Sequence, residues 1–230
     1  MPPSRDRDER PRQRAHAGPR AAAAGLAAQK KSLHATERDT PRVQQARAAY
    51  RALIQPLDLQ RFRFLDESGI TLALTRRFGR APRGERVVGT VPQNDGAHLT
   101  MIAALSRHGI DATMTREGAT DTDVLQADVE HILGPTLRSG DIVVLDNWRA
   151  HKVARIREAI ESRGAQLIDW PPYSPDLAPI EQWWSQIKTF LRTAQARTRQ
   201  ALEAAIQQAL TTITAAEARS WFTYCGYTVP

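Results

Sequence analysis

At 230 residues the chain is long enough for one sizeable domain with an appendage, and too short for several independent catalytic domains. Its 41% hydrophobic and 25% charged residues are ordinary for a protein built on a core, and its formal charge of +7 makes polyanions the natural partners. The single cysteine, Cys225, excludes an intramolecular disulfide framework and any multi-cysteine zinc site, and no run approaches the length of a membrane span.

A reducing, cytoplasmic and nucleoid-associated setting with no membrane partner is therefore expected. Residues 1–30 carry seven Arg/Lys and three Asp/Glu, so the basicity is concentrated at the N-terminus. Residues 1–28, with the run RAAAAGLAA, read as a basic, disordered leader. A helix is expected from Thr40, as N-cap, through TPRVQQARAAYRALI to the stop at Pro56.

RFRFLDES, residues 61–68, reads as a strand whose apolar part ends at Asp66. ERVVGTV, 85–91, and HLTMIAALS, 98–106, are both strand-like, with a turn at Asn94, Asp95 and Gly96. DTDVLQADVEHIL, 121–133, places Val124, Leu125, Val129, Ile132 and Leu133 on a helical stripe. GDIVVLDN, 140–147, is an apolar run suited to the centre of a sheet; KVARIREAIESRG is an amphipathic helix closed by Gly164, and AQLIDW is another buried strand. Antiparallel strands followed by a parallel crossover predict an α/β mixed sheet flanked by helices. The final third is helical, with TAAE at 214–217 spaced as a capping box.

The chemical signal lies in acids at strand ends. Asp66 and Asp146 each follow residues that a buried strand wants, and so emerge where a sheet of this kind holds ligands. Glu181 follows WPPYSPDLAPI, in which Pro171, Pro172 and Pro175 discourage an early helix while Asp176, as cap, and Pro179, in the first turn, start one. Pro175, Asp176 and Pro179 are thus positioning residues for Glu181. Three carboxylates without a histidine–cysteine cluster suit a hard ion, Mg²⁺ or Mn²⁺, and two such ions can clamp the attacking and leaving oxygens of a phosphodiester.

Candidate DNA contacts are the run Arg76, Arg77, Arg80, Arg83 and Arg86, together with Asn147, Trp148, His151, Lys152 and Lys188. Each also has a plainer reading: a solvated arginine face, a turn for Asn147, a helix-start hydrogen bond for His151. Trp183 and Trp184 could stack on bases, although helical spacing makes Trp183 a core residue. Gly79 and Gly84 form no phosphate-loop or dinucleotide pattern.

FLDESG around Asp66, VVLDNWRAHK around Asp146 and LIDWPPYSPDLAPIEQWWSQIK around Glu181 resemble, in this order, the catalytic domain of bacterial insertion-sequence transposases of the mariner-like DDE superfamily. The 34 residues between Asp146 and Glu181 match one branch of that group. The resemblance implies a ribonuclease-H-like fold over residues 59–230, preceded by a linker-helix region at 29–58. It implies two metal ions on Asp66, Asp146 and Glu181, hydrolysis at element ends, and strand transfer into TA-containing double-stranded DNA. It also implies a homodimer joining two terminal inverted repeats. Residues 1–28 do not resemble the helix-turn-helix region usual in the family, so a separate helix-turn-helix chain is an expected partner. A simple nuclease of the same fold, or an inactive DNA-binding remnant, are the competing readings.

Overall fold

The computed structural model describes residues 33–93, 98–146 and 150–228, with the side chains of 150–153 excepted. Residues 34–230 form one compact unit. The leader at 1–28 lies outside the described residues.

Five strands make one sheet: β1 (Phe62–Thr71), β2 (His98–Ser106), β3 (Gly109–Glu117), β4 (Ile142–Asp146) and β5 (Gln166–Trp170), in the order β3-β2-β1-β4-β5. β1, β2 and β3 are antiparallel, whereas β4 and β5 join in parallel. A tight turn joins β2 to β3: Ser106 Oγ accepts from the His108 N–H, and Gly109, at φ 130°, takes a conformation closed to most side chains. The parallel half needs crossovers, which are helical. This mixed sheet with flanking helices is consistent with a ribonuclease-H-like fold.

Alternation along the strands divides the core in two. Phe62, Phe64, Met101, Leu105 and Val144 point to one face, where α1 (Pro41–Ile54), α4 (Pro179–Ala194), α5 (Arg199–Thr211) and α6 (Ala215–Tyr224) contribute to the same apolar cluster. Leu65, Ile102, Val143 and Leu145 point to the other, against α2 (Thr122–Asp128) and α3 (Ala150–Glu161). The result is a three-layer sandwich. Thr214 and Glu217 form the expected capping box, and Gln186 hydrogen-bonds Glu217, tying α4 to α6. Among the described residues no helix is long and apolar enough to cross a membrane.

Several expectations are corrected. β1 does not stop at Asp66; it runs on to Thr71, paired only with β2 beyond Leu65. Residues 85–91 form no strand: Val87, Val88 and Val91 are exposed, so the segment buries no apolar face that would hold it on the sheet. The turn expected at Asn94–Gly96 lies outside the described residues. The α2 helix lasts only two turns and widens into a π-helical turn at Val129–Leu133, which leaves Ile132 exposed while Leu125, Val129 and Leu133 stay buried. Thr40 occupies the N-cap with Pro41 at the first helical position, but its hydroxyl donates to the Glu37 carbonyl instead of capping.

Asp128, where α2 meets the π turn, is 1% exposed and its Oδ1 finds no hydrogen-bond partner. Burial pushes its carboxyl up to about 6. An acid raised on folding stabilises the fold below its unfolded value of about 4, and that contribution is lost as pH rises through the folded value. Asp128→Asn, which mimics the neutral acid, is therefore expected to raise stability by about 1–2 kcal/mol near pH 8 and to leave it unchanged near pH 3. Urea unfolding at the two pH values checks this; an equal effect at both would remove the assigned cost.

Candidate active site

Asp66, inside β1, and Asp146, at the end of β4, stand at the same level on neighbouring strands. The parallel register pairs Leu65 with Leu145, so each acid is the next residue along. Because Phe64 and Val144 face the α4 side of the sheet, alternation turns Asp66 and Asp146 to that side too. Asp146 closes β4 opposite Trp170, the last residue of β5. Glu181 stands in the first turn of α4, whose Ile180, Trp183, Ile187 and Leu191 are buried in the core cluster of that same face.

Charge repulsion couples Asp66 to both Glu181 and Asp146, and Glu181 to Asp146. Burial pushes the Asp66 carboxyl up to about 7; hydrogen bonds from the Glu67 backbone and the Trp184 indole oppose this, while Glu181 and Asp146 add to it. Glu181 is likewise raised, first by burial and then by Asp146, with Lys188 opposing. The helix N-terminus favours a charged carboxylate there, yet burial wins. The half-buried Lys188 is lowered by burial and by Arg192, while Glu181 and Asp66 pull it back up. Among the described residues no group of three His, Cys, Asp or Glu side chains is placed to hold a metal ion. The donors nonetheless fit a hard divalent ion: all are carboxylate oxygens, and their mutual repulsion marks a place short of positive charge.

The loop between β5 and α4 is held at several points. Tyr173 adopts a left-handed backbone at φ 54°, the buried Ser174 donates to the Pro172 carbonyl, and Pro175–Leu177 make a single 3₁₀ turn. Pro179 takes the first position of α4 as expected. Asp176, however, is not the cap; Ala178 is, and no side chain caps the helix. Asp176 instead accepts two hydrogen bonds from Arg47 of α1, at 2.9 and 2.7 Å, and one from Arg38 at 3.1 Å. A buried guanidinium reaching across from α1 outcompetes the local backbone for that carboxylate. Beside it, Tyr227 donates to the Leu177 carbonyl and shares a 2.9 Å hydrogen bond with Tyr50.

Of the remaining candidates, Lys188 lies beside the acids. Arg76, Arg77, Arg80, Arg83 and Arg86 sit on an irregular exposed stretch that also carries the exposed Phe78. Asn147, Trp148 and the side chains of His151 and Lys152 lie outside the described residues. Sequence reading missed the Trp184 hydrogen bond to Asp66, at 2.9 Å, and the arginine partners of Asp176. It also missed Asp169, whose carboxyl is raised by burial and by Asp146 against the pull of Arg157. No local pattern announces contacts between segments so far apart in the chain.

The family described as DDE superfamily endonuclease matches residues 61–203. The transposable element Tcb2 transposase of Caenorhabditis briggsae is 29% identical over 108 residues, which cover 45% of this chain and 40% of the relative. The chain thus spans less than half the length of that curated relative. The Mos1 transposase paired-end complex with left transposon end shares the fold with a TM-score of 0.70 at 16% identity, covering 89% of this chain and 64% of that one. The Mos1 transposase catalytic domain with Raltegravir and Mn gives a TM-score of 0.63 at 13% identity, covering 84% and 92%.

The Arg47–Asp176 pair makes the loop testable. Burial alone would raise the Asp176 carboxyl, but the Arg47 hydrogen bonds and charge, helped by Arg38, hold it below the usual carboxylate range. A carboxyl lowered on folding contributes stability above its unfolded value, and that contribution fades as pH falls through the folded one. Asp176→Asn is expected to cost about 2 kcal/mol at neutral pH, reduced from the full penalty of stranding a buried charge because Asp176 is partly exposed. The difference should shrink below about pH 4. Chemical unfolding across pH reads it, and a cost that stays constant down to pH 2 would show that the ion pair contributes nothing.

Proposed function

The chain belongs to the DDE superfamily endonuclease family, and on that premise we propose that it is the catalytic portion of a mariner-like DNA transposase of a bacterial insertion sequence. The supporting observation is that Asp66 and Asp146 turn to one face of adjacent strands beside the first turn of the helix carrying Glu181, and that burial and neighbouring acids raise the Asp66 and Glu181 carboxyls. The interval of 34 residues between Asp146 and Glu181 fits the same reading.

In this reading Asp66, Asp146 and Glu181 would hold two Mg²⁺ or Mn²⁺ ions. When bound, such ions stabilise the attacking and leaving oxygens of an in-line displacement at phosphorus. The first reaction is hydrolysis: a water oxygen forms the new P–O bond, and the bond to the element's 3′ oxygen breaks. The second is transfer: that 3′-hydroxyl forms a P–O bond to target DNA at TA, and one target 3′ oxygen leaves. The protein's own share is placement. Lys188, beside Glu181 and Asp66, offers a positive charge to a phosphate oxygen at the reacting centre. Arg76, Arg77, Arg80, Arg83 and Arg86 supply salt-dependent backbone contacts on an exposed stretch. Asn147, Trp148, His151 and Lys152, near Asp146 in sequence, complete the proposed set of DNA contacts. A helix-turn-helix chain for the terminal inverted repeats and a homodimer holding both ends belong to the same reading.

Pre-cleaved inverted-repeat ends, a TA-containing target and Mn²⁺ are expected to give joined products. Asp66→Ala, Asp146→Ala and Glu181→Ala should each lower joining by more than about 10²-fold, the loss usual when one electrostatic stabiliser of a transition state is removed. Quantifying products on denaturing gels decides it. Joining that persists in all three variants would sink the assignment, and cleavage without joining would favour a simple nuclease.

A further inference from the structure

Trp183 and Trp184 are adjacent, both buried, with ring centroids 4.2 Å apart, yet their indole N–H groups have different fates. Trp183 Nε1 is buried without a partner. Trp184 Nε1 donates to Asp66 Oδ2 at 2.9 Å. A tryptophan needed only for volume has no reason to aim its one donor at a carboxylate in another element. Trp184 also stands one turn after Glu181, so the helix that presents the third acid reaches back and grips the first.

We propose that Trp184 is a positioning residue for Asp66: its indole N–H fixes the rotation of that carboxylate so that its remaining lone pairs face the ions shared with Asp146 and Glu181. A carboxylate offers about four acceptor sites, so one hydrogen bond sets its plane without using up its capacity for metal. Two further features support this role. The Glu67 backbone N–H is a second donor to the same carboxylate, leaving little freedom for its plane. The strand beneath is held by pairing Asp66 with Ala103 of β2, so the side-chain rotation is what remains to be fixed. Outer donors of this kind change metal affinity or activity about 10–100-fold when removed. The proposal rests on the assignment of Asp66 as a metal ligand.

The test compares the parent chain with Trp184→Phe, Trp183→Phe and Asp66→Ala, all without DNA. Free Mn²⁺ is followed by electron paramagnetic resonance, and folding by circular dichroism and urea unfolding. Trp184→Phe is expected to keep the fold and bind Mn²⁺ about tenfold more weakly. Trp183→Phe, which removes an indole N–H bonded to nothing, should bind as the parent does even if it is less stable. Equal Mn²⁺ affinity for Trp184→Phe and parent, with binding lost in Asp66→Ala, overturns the positioning role alone. Unchanged binding in Asp66→Ala overturns the metal-ligand assignment and this proposal with it. Should Trp184→Phe fail to fold, the indole ¹H–¹⁵N spectrum of the parent decides: the Trp184 resonance should move on adding Mg²⁺ and in Asp66→Asn, well beyond any change at Trp183. A resonance indifferent to both also overturns the role.

Discussion

The acidic end of the sheet gathers like charges in a place where burial already disfavours charge. Burial raises the Asp66 and Glu181 carboxyls and the neighbouring acids add to it, so the arrangement does not form for its own electrostatic benefit. It is imposed by the apolar side of α4. Ile180 and Trp183 are fully buried, with Ile187 and Leu191 almost so, and each such side chain contributes about 1.5–3 kcal/mol on leaving water. The helix docks because of that stripe, and Glu181, on the flank of the same helix, is carried to the acids as a consequence. Apolar packing sets the geometry, and the carboxylates bear its electrostatic cost.

Docking fixes the helix axis, but the entry of the chain into α4 needs its own restraint. Prolines narrow the backbone choices of the preceding loop, and three long-range contacts select among those that remain. Arg47 binds Asp176, Tyr227 binds the Leu177 carbonyl, and Tyr50 binds Tyr227. These partners come from α1 and from the residues after α6, so segments at both ends of the compact unit converge on the loop that presents Glu181. The linker-like helix and the C-terminal tail are therefore structural supports of the site, although neither contributes an acid to it.

What could be read in the sequence follows from which forces are local. FLDES and VVLDN announce their acids because a charge interrupts an apolar run; at Asp146 the interruption is the strand end, whereas at Asp66 it marks only the end of the pairing with β4. The stripe of α4 was legible for the same reason: its period is written in the residues themselves. ERVVGTV reads as a strand because valines favour strands anywhere, whereas a strand also needs an apolar face to bury, and Val87, Val88 and Val91 stay exposed. β3 passed unseen since GIDATMTRE mixes polar and apolar residues without clear alternation. Asp176 looked like a cap because its true partner lies 129 residues away, and Trp184 meets Asp66 across 118 residues. Contacts of that kind become visible only once the sheet and its helices are assembled.

The three acids are not equally constrained. Asp66 lies inside β1, with β2 paired to it and to the five residues beyond, and its side chain is gripped by Trp184. Asp146 is the last residue of β4, paired on the β5 side with Trp170. Glu181 is fixed through its helix and the loop tether, with a longer side chain and more rotatable bonds between backbone and carboxylate. Any closure around a ligand must draw on the freedom available, which is least at Asp66 and greatest at Glu181. Asp66 is in that sense the most firmly held of the three.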